Sequence, residues 1–316
     1  MKRFLVLSLI ATLIVACSRN EYSETAESLD VEYVEGISNA GDLHNEYLQG
    51  IFDSMVNSSV SPNTRAGGLT ESSFIEEMAK IQLSVLDGTD ISKMSRNQVV
   101  SHIQTNIDVT VAPEVISMAQ TIADYPQMSI IPTLETNGSL STAMRGYIQE
   151  VDNILLSTTM SDSMKESKLR LAYLNWYRAG DENDRKLISS TYDIFIDSKN
   201  YWEQNATQWE RAYGLKTTIK SYLWSIARSD GWALAKAVYH AGWYYATMFW
   251  KEMLIASGTA SAVTAIFGLI KEISMSNVNG EIIYTIGDNE MSESELKTRI
   301  FQEMIVLRPE LEYLAE

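Results

Sequence analysis

The stretch Leu140–Leu155, LSTAMRGYIQEVDNIL, decides the fold class. Leu140, Ala143, Met144, Tyr147, Ile148, Val151, Ile154 and Leu155 recur at steps of three and four, which gathers them on one face of an α-helix. A strand would alternate at every second residue. The pattern predicts an amphipathic helix over 140–155 whose apolar stripe needs other elements to cover it.

The same spacing recurs on both sides. Within Asp42–Asn57, Leu43, Tyr47, Leu48, Ile51, Phe52, Met55 and Val56 form one stripe. Ser73 and Glu76 have capping-box spacing ahead of Met78, Ile81, Val85 and Leu86. Ser95 suits a cap before Val99, Val100, Ile103 and Ile107. Pro113 suits a first helical position before Val115, Ile116, Ala119 and Ile122. Further helices are expected near 163–179, 182–197, 201–227 and 230–272. Ser292, paired with Glu295, opens a last helix to Leu307, and Pro309 stops it. The segment 58–68, SSVSPNTRAGG, reads as a loop. Asn279–Asp288, NGEIIYTIGD, is the one β-like patch, with turn signals at both ends. About ten helices on short connections predict an all-α, multi-helix bundle with at most a small β-hairpin near 279–288.

The N-terminus is of another kind. Met1-Lys2-Arg3 is cationic, Phe4–Val15 is apolar and uncharged, and small Ala16 precedes the single cysteine, Cys17. This order describes an export signal, and the run is shorter than the roughly 20 residues that span a bilayer. Ile14-Val15-Ala16-Cys17 resembles the lipobox of bacterial lipoproteins. The resemblance implies cleavage before Cys17, diacylation of its thiol, and acylation of the new amine. Ser18–Glu35 carries six acidic residues and one basic residue, with few large apolar side chains, and reads as a tether. A short edge strand at Val31–Val34 is the alternative. The expected organisation is a signal over 1–16, a lipidated acidic tether over 17–37, and a single helical domain over 38–316. Gly41–Leu48, GDLHNEYL, is similar to the start of the folded part in a loose group of secreted lipoproteins of Bacteroidota-type bacteria, where a His-Asn pair opens a helix. This resemblance implies an envelope address and no activity. With the lipobox, it points to an outer-membrane lipoprotein, periplasmic or surface-facing.

The chain has 41 Asp+Glu against 25 Lys+Arg, and removal of Lys2 and Arg3 takes its net charge from −16 to −18. Such a body is repelled by nucleic-acid phosphates, so no nucleic-acid partner is expected. Membrane contact is expected through the lipid.

All seven tryptophans lie between 176 and 250, and thirteen aromatics lie between Tyr201 and Trp250. Such residues pack a core, stack on ligands such as sugars, or sit at a membrane interface. Trp243, Tyr244, Tyr245, Phe249 and Trp250 surround their helix, which favours burial. Trp243, Tyr244 and Trp250 remain the candidate interaction residues. Met253–Ile270 has 18 uncharged residues, with Ala256, Ala260, Thr264 and Gly268 spaced by four. The 232–270 stretch reads either as an apolar hairpin of the core or as a membrane-inserting element.

Catalytic motifs are sparse. The three histidines, His44, His102 and His240, are far apart in sequence. No metal site, cofactor or catalytic residue is predicted, and the sequence has no Gly-rich phosphate loop or nucleophile elbow. Asp53-Ser54-Met55 and Asp162-Ser163-Met164 resemble the O-glycan acceptor triplet of Bacteroidota-type envelope proteins. The expected function is binding of a protein or glycan partner at the envelope, without catalysis. A membrane-active hairpin and a glycan hydrolase with two facing carboxylates are the alternatives.

Overall fold

Eight helices longer than two turns carry the structure, a computed structural model that describes residues 39–57, 70–113, 116–118, 122, 128–135, 140–213, 219–243, 254, 257–258 and 273–315. The chain divides into two units, Met1–Val34 and Glu35–Glu316, and all the described elements belong to the second. The helices are α1 (Ala40–Asn57), α2 (Glu71–Asp87), α3 (Arg96–Thr110), α4 (Thr142–Leu155), α5 (Asp162–Ala179), α6 (Glu182–Tyr213), α7 (Leu223–Ala241) and α8 (Glu293–Leu307). One small sheet joins them, so the fold is a mostly α, multi-helix bundle with a minor β element.

Capping residues fix where the helices start. The side chains of Ser95, Ser141, Ser161 and Ser292 each accept a hydrogen bond from the backbone N–H three residues on. Each thereby satisfies a donor that the first turn leaves open. α2 starts one turn earlier than the Ser73–Glu76 spacing suggests. Thr70 is the cap and Ser73 completes the box, while Glu76 lies 2.6 Å from Lys80 Nζ. α4 buries Ala143, Met144, Tyr147, Ile148, Val151, Ile154 and Leu155, with Asp152 beside them. Each fully buried aliphatic side chain of this kind contributes roughly 1.5–3 kcal/mol.

α6 is one unbroken helix of 32 residues, about 48 Å long at 1.5 Å per residue. The sequence reading split it near 198–200 and placed the next break near 228–230. Both breaks are corrected. Leu187, Ile188, Thr191, Ile194, Phe195, Ser198, Trp202, Ala206 and Trp209 make one continuous buried stripe at helical spacing. Ser198 is therefore an inward position rather than a loop residue. Ser229-Asp230-Gly231 likewise lies inside α7, where Ser229 and Asp230 are fully buried. Gly231 permits close approach of the two helices: a Cβ there would clash with the Phe195 ring. The chain turns instead between Tyr213 and Leu223, through a 3-10 turn at Ile219–Ser221.

α6 is the central strut, packed against α1, α5 and α7. α2, α3 and α8 form a second group, and one core runs through both, from Leu48 and Phe74 to Trp202, Trp209, Ile300 and Leu314. The sheet is larger than a hairpin near 279–288, with three antiparallel strands: β1 (Ile273–Val278), β2 (Glu281–Ile286) and β3 (Asn289–Ser292). Val278 pairs with Glu281 across a two-residue loop in which Asn279 (φ 56°) and Gly280 (φ 91°) both take positive φ. That geometry suits an Asn-Gly loop and matches the twist of the strands. Tyr284, fully buried, donates from its hydroxyl to the Val111 carbonyl at 2.5 Å and ties the sheet to the end of α3.

Candidate functional site

The densest chemistry in the described residues lies on α7 and faces inward. Arg228, 1 % exposed, makes a bidentate pair with Asp152, Nε to Oδ1 at 2.8 Å and Nη2 to Oδ2 at 2.9 Å. Arg228 Nη2 also donates to the Met128 carbonyl at 2.8 Å. One helical turn on, the Trp232 indole N–H donates to Asp152 Oδ1 at 2.9 Å. Another turn on, Lys236 Nζ donates to the Thr133 carbonyl at 2.8 Å. The i, i+4 spacing of Arg228, Trp232 and Lys236 puts all three on one face of α7, aimed at α4 and the segment before it. A buried charge is tolerated only when paired and hydrogen-bonded, and this carboxylate has three donors.

A second polar knot joins α1, α6 and α7. His44 Nε2 lies 3.4 Å from Asp230 Oδ2, and the same oxygen accepts from Ser198 Oγ at 2.5 Å. Ser257 Oγ donates to the Asp230 carbonyl at 2.7 Å. Asn45 donates from its amide to the Asp197 carbonyl at 3.0 Å, and its Oδ1 faces His44 Nδ1 at 3.1 Å. Serine, histidine and aspartate thus meet in space, but in the wrong order for nucleophilic catalysis. The serine donates to the aspartate rather than to the histidine that would have to activate it. All three are fully buried.

Nearby, burial pushes the Asp197 carboxyl above its ordinary range, with the Asp42 charge adding to the effect and His44 opposing it. Tyr147 is fully buried and also pushed up, chiefly by burial, although Thr191 donates to its hydroxyl at 3.2 Å.

Four of the six described tryptophans, Trp202, Trp209, Trp224 and Trp232, serve the core. Trp202, Trp209 and Trp232 are 1 % exposed or less. Trp202 and Trp209 lie 5.0 Å apart between ring centroids, and Trp232 meets Phe195 edge-on at 4.9 Å. Four indole N–H groups have polar partners: Trp176 on Glu150, Trp209 on Tyr201, Trp224 on Asp162 and Trp232 on Asp152. Of the candidate interaction residues, Trp243 is half-buried and meets Tyr239 edge-on at 6.5 Å. Tyr244 and Trp250 lie outside the described residues, as does the lipidation candidate Cys17. Within the 232–270 stretch, Trp232–Val238 are buried in the body, and residues 244–251 lie outside the described residues. Apart from Leu254, Ser257 and Gly258, the second half lies outside the described residues. Among those described, no helix is long and apolar enough to cross a membrane.

His44 and His102 have different partners; the His102 ring lies within 3.3 Å of Thr89 Oγ1 and within 3.2 Å of Asn106 Nδ2. Among the described residues, no three of His, Cys, Asp and Glu converge as metal ligands. Gln104, Ile107, Asp108, Ser294, Lys297, Thr298 and Phe301 line a half-open groove of about 380 Å³ between α3 and α8. Its carboxylate Asp108 is bound to Lys297 at 2.8 Å, and Lys297 also holds Glu293 at 2.6 Å. Burial opposes the charge on Lys297, but the two carboxylates outweigh it and hold its pKa above the usual lysine value. Ser163 is exposed in the first turn of α5, and Ser54 lies within α1.

Sequence reading missed Asp152, Arg228, Asp230 and Lys236. A signal was present, because Asp152 sits between Ile148 and Leu155 on the apolar stripe of α4, where a solvated acid has no place. Comparison of the chain with family models, curated proteins and solved structures gives no match.

Proposed function

We propose that this chain is a lipid-anchored protein of the cell envelope, acting by binding a protein or glycan partner and performing no catalysis. The observation that carries this reading is the N-terminal order of cationic start, apolar run, small residue and single cysteine at 17. Acyl chains contribute roughly 0.8 kcal/mol per buried CH₂, so two or three chains on one residue hold a body of this size at a bilayer. The deployment of the charged side chains gives further support. Asp152 and Arg228 pair inside the bundle, and His44, Ser198 and Asp230 meet there as well, all of them buried.

Fractionation tests the anchor. The native chain is expected to float with envelope lipids and to need detergent for release. Cys17→Ala should leave the lipid fraction. Equal flotation of both proteins would contradict the proposal.

A further inference from the structure

α5 lies at the edge of the bundle, packed against α4 and α6. Its outward stripe is Met164, Lys168, Leu171, Asn175 and Arg178, at steps of four and three, and all five are exposed. Met164 and Leu171 are 50 % and 52 % exposed, two of the most exposed large apolar side chains among the described residues. Arg170 is exposed beside them.

The charge of this face is opposite to that of the whole. The protein carries −16, yet Lys168, Arg170 and Arg178 make no ion pair among the described residues. The acids of the same helix are engaged elsewhere: Glu166 pairs with Lys199 at 3.3 Å, and Asp162 accepts from Trp224 at 2.8 Å. Apolar side chains flanked by long cationic ones suit a surface that is negative outside and apolar just beneath.

We infer that the outward stripe of α5 is the face on which the body rests against an anionic bilayer surface. This inference rests on the lipid anchor proposed above. An acyl-bearing Cys17 keeps the body within reach of headgroups, since the 22 residues to Asn39 extend at most about 75 Å. Tethering of this kind raises the effective concentration enough for a weak contact to be populated. The acidic remainder of the body is repelled by the same surface, so attraction and repulsion both turn α5 inward. Each cation near such a surface favours docking about fivefold.

The test uses the full lipidated chain, with Asn175→Cys carrying a fluorophore, in vesicles of phosphatidylcholine with or without phosphatidylglycerol and with quencher-bearing headgroups. Strong quenching is expected with phosphatidylglycerol, weak quenching without it, and loss of the effect in high salt. Lys168→Glu with Arg178→Glu should lower the docked-to-undocked ratio by roughly 25-fold or more. A chain that floats with the vesicles but shows no quenching, or shows the same quenching in every lipid or after charge reversal, overturns the orientation and leaves the anchor standing. A chain that does not float overturns both.

Discussion

His44 Nε2 lies 3.4 Å from Asp230 Oδ2, and neither side chain is exposed. The contact joins the first helix of the body to α7, across the serine that α6 contributes. It also gives the His-Asn pair of GDLHNEYL a physical role. His44 reaches α7, while Asn45, the next residue, donates to a carbonyl of α6. With the Asn45 amide oriented by that carbonyl, both ring nitrogens of His44 face oxygen acceptors.

Removal of one partner strands the other in a dry site. His44→Ala is expected to cost about 1–3 kcal/mol, the usual penalty for leaving a buried polar group short of a partner. In a double-mutant cycle with Asp230→Ala, the second substitution should cost much less than it does alone. Urea unfolding of the four proteins measures the coupling; additive effects would show that the contact holds nothing.

The Arg228–Asp152 pair separates charge burial from packing. Arg228→Met alone leaves a buried carboxylate with the Trp232 N–H still donating to it, at an expected cost of about 3–5 kcal/mol. Adding Asp152→Leu should restore more than half of that loss, because an apolar pair of similar volume asks for no solvation. Thermal unfolding monitored by circular dichroism would show the recovery as a rise in Tm over the single variant.

Gly231 can be tested by volume alone. Gly231→Ala drives a methyl into the Phe195 ring. The expected loss is about 1–3 kcal/mol, the usual cost of overpacking, despite the higher helix propensity of alanine. Phe195→Leu in the same chain should recover part of it. A stabilising Gly231→Ala would show that α6 and α7 are farther apart than described.

Alkaline pH probes the aromatic core. Burial is the main cause holding Tyr201 and Tyr173 up to about 12, each against an ordinary 10.0. The folded state therefore keeps protons that the unfolded chain releases first. The contribution is intact below pH 10 and is lost as pH rises toward 12, at a slope of up to about 1.4 kcal/mol per pH unit for each tyrosine. Phenolate absorbance at 295 nm should rise together with the loss of helical signal. Full ionisation of every tyrosine near pH 10, with the helices intact, would place these rings in water.

Much of the fold was legible because helix caps and apolar stripes are local signals. Leu140–Leu155 named its own buried face, Ser95 and Ser292 marked real starts, and Asn279-Gly280 marked a real loop. The reading failed where polar residues point inward. Ser198, and the run Ser229-Asp230-Gly231, look like breaks until their packing is known, and the partners of Ser198 and Asp230 are 27 or more residues away in sequence. The third strand was hidden for a related reason: Asn289–Ser292 contributes Met291 alone to the core, too little for an alternating pattern. The aromatic cluster had the composition of either a ligand surface or a core, and only three-dimensional packing placed Trp202, Trp209 and Trp232 inside.

The most direct measurement is intact-mass and peptide mass spectrometry of the protein extracted from its native envelope. The expected result is a chain beginning at residue 17, without Met1–Ala16, whose cysteine carries a diacylglyceryl group and whose amine bears a further acyl chain. An unmodified Cys17, or a mature product that begins at any other residue, would contradict the proposed anchor.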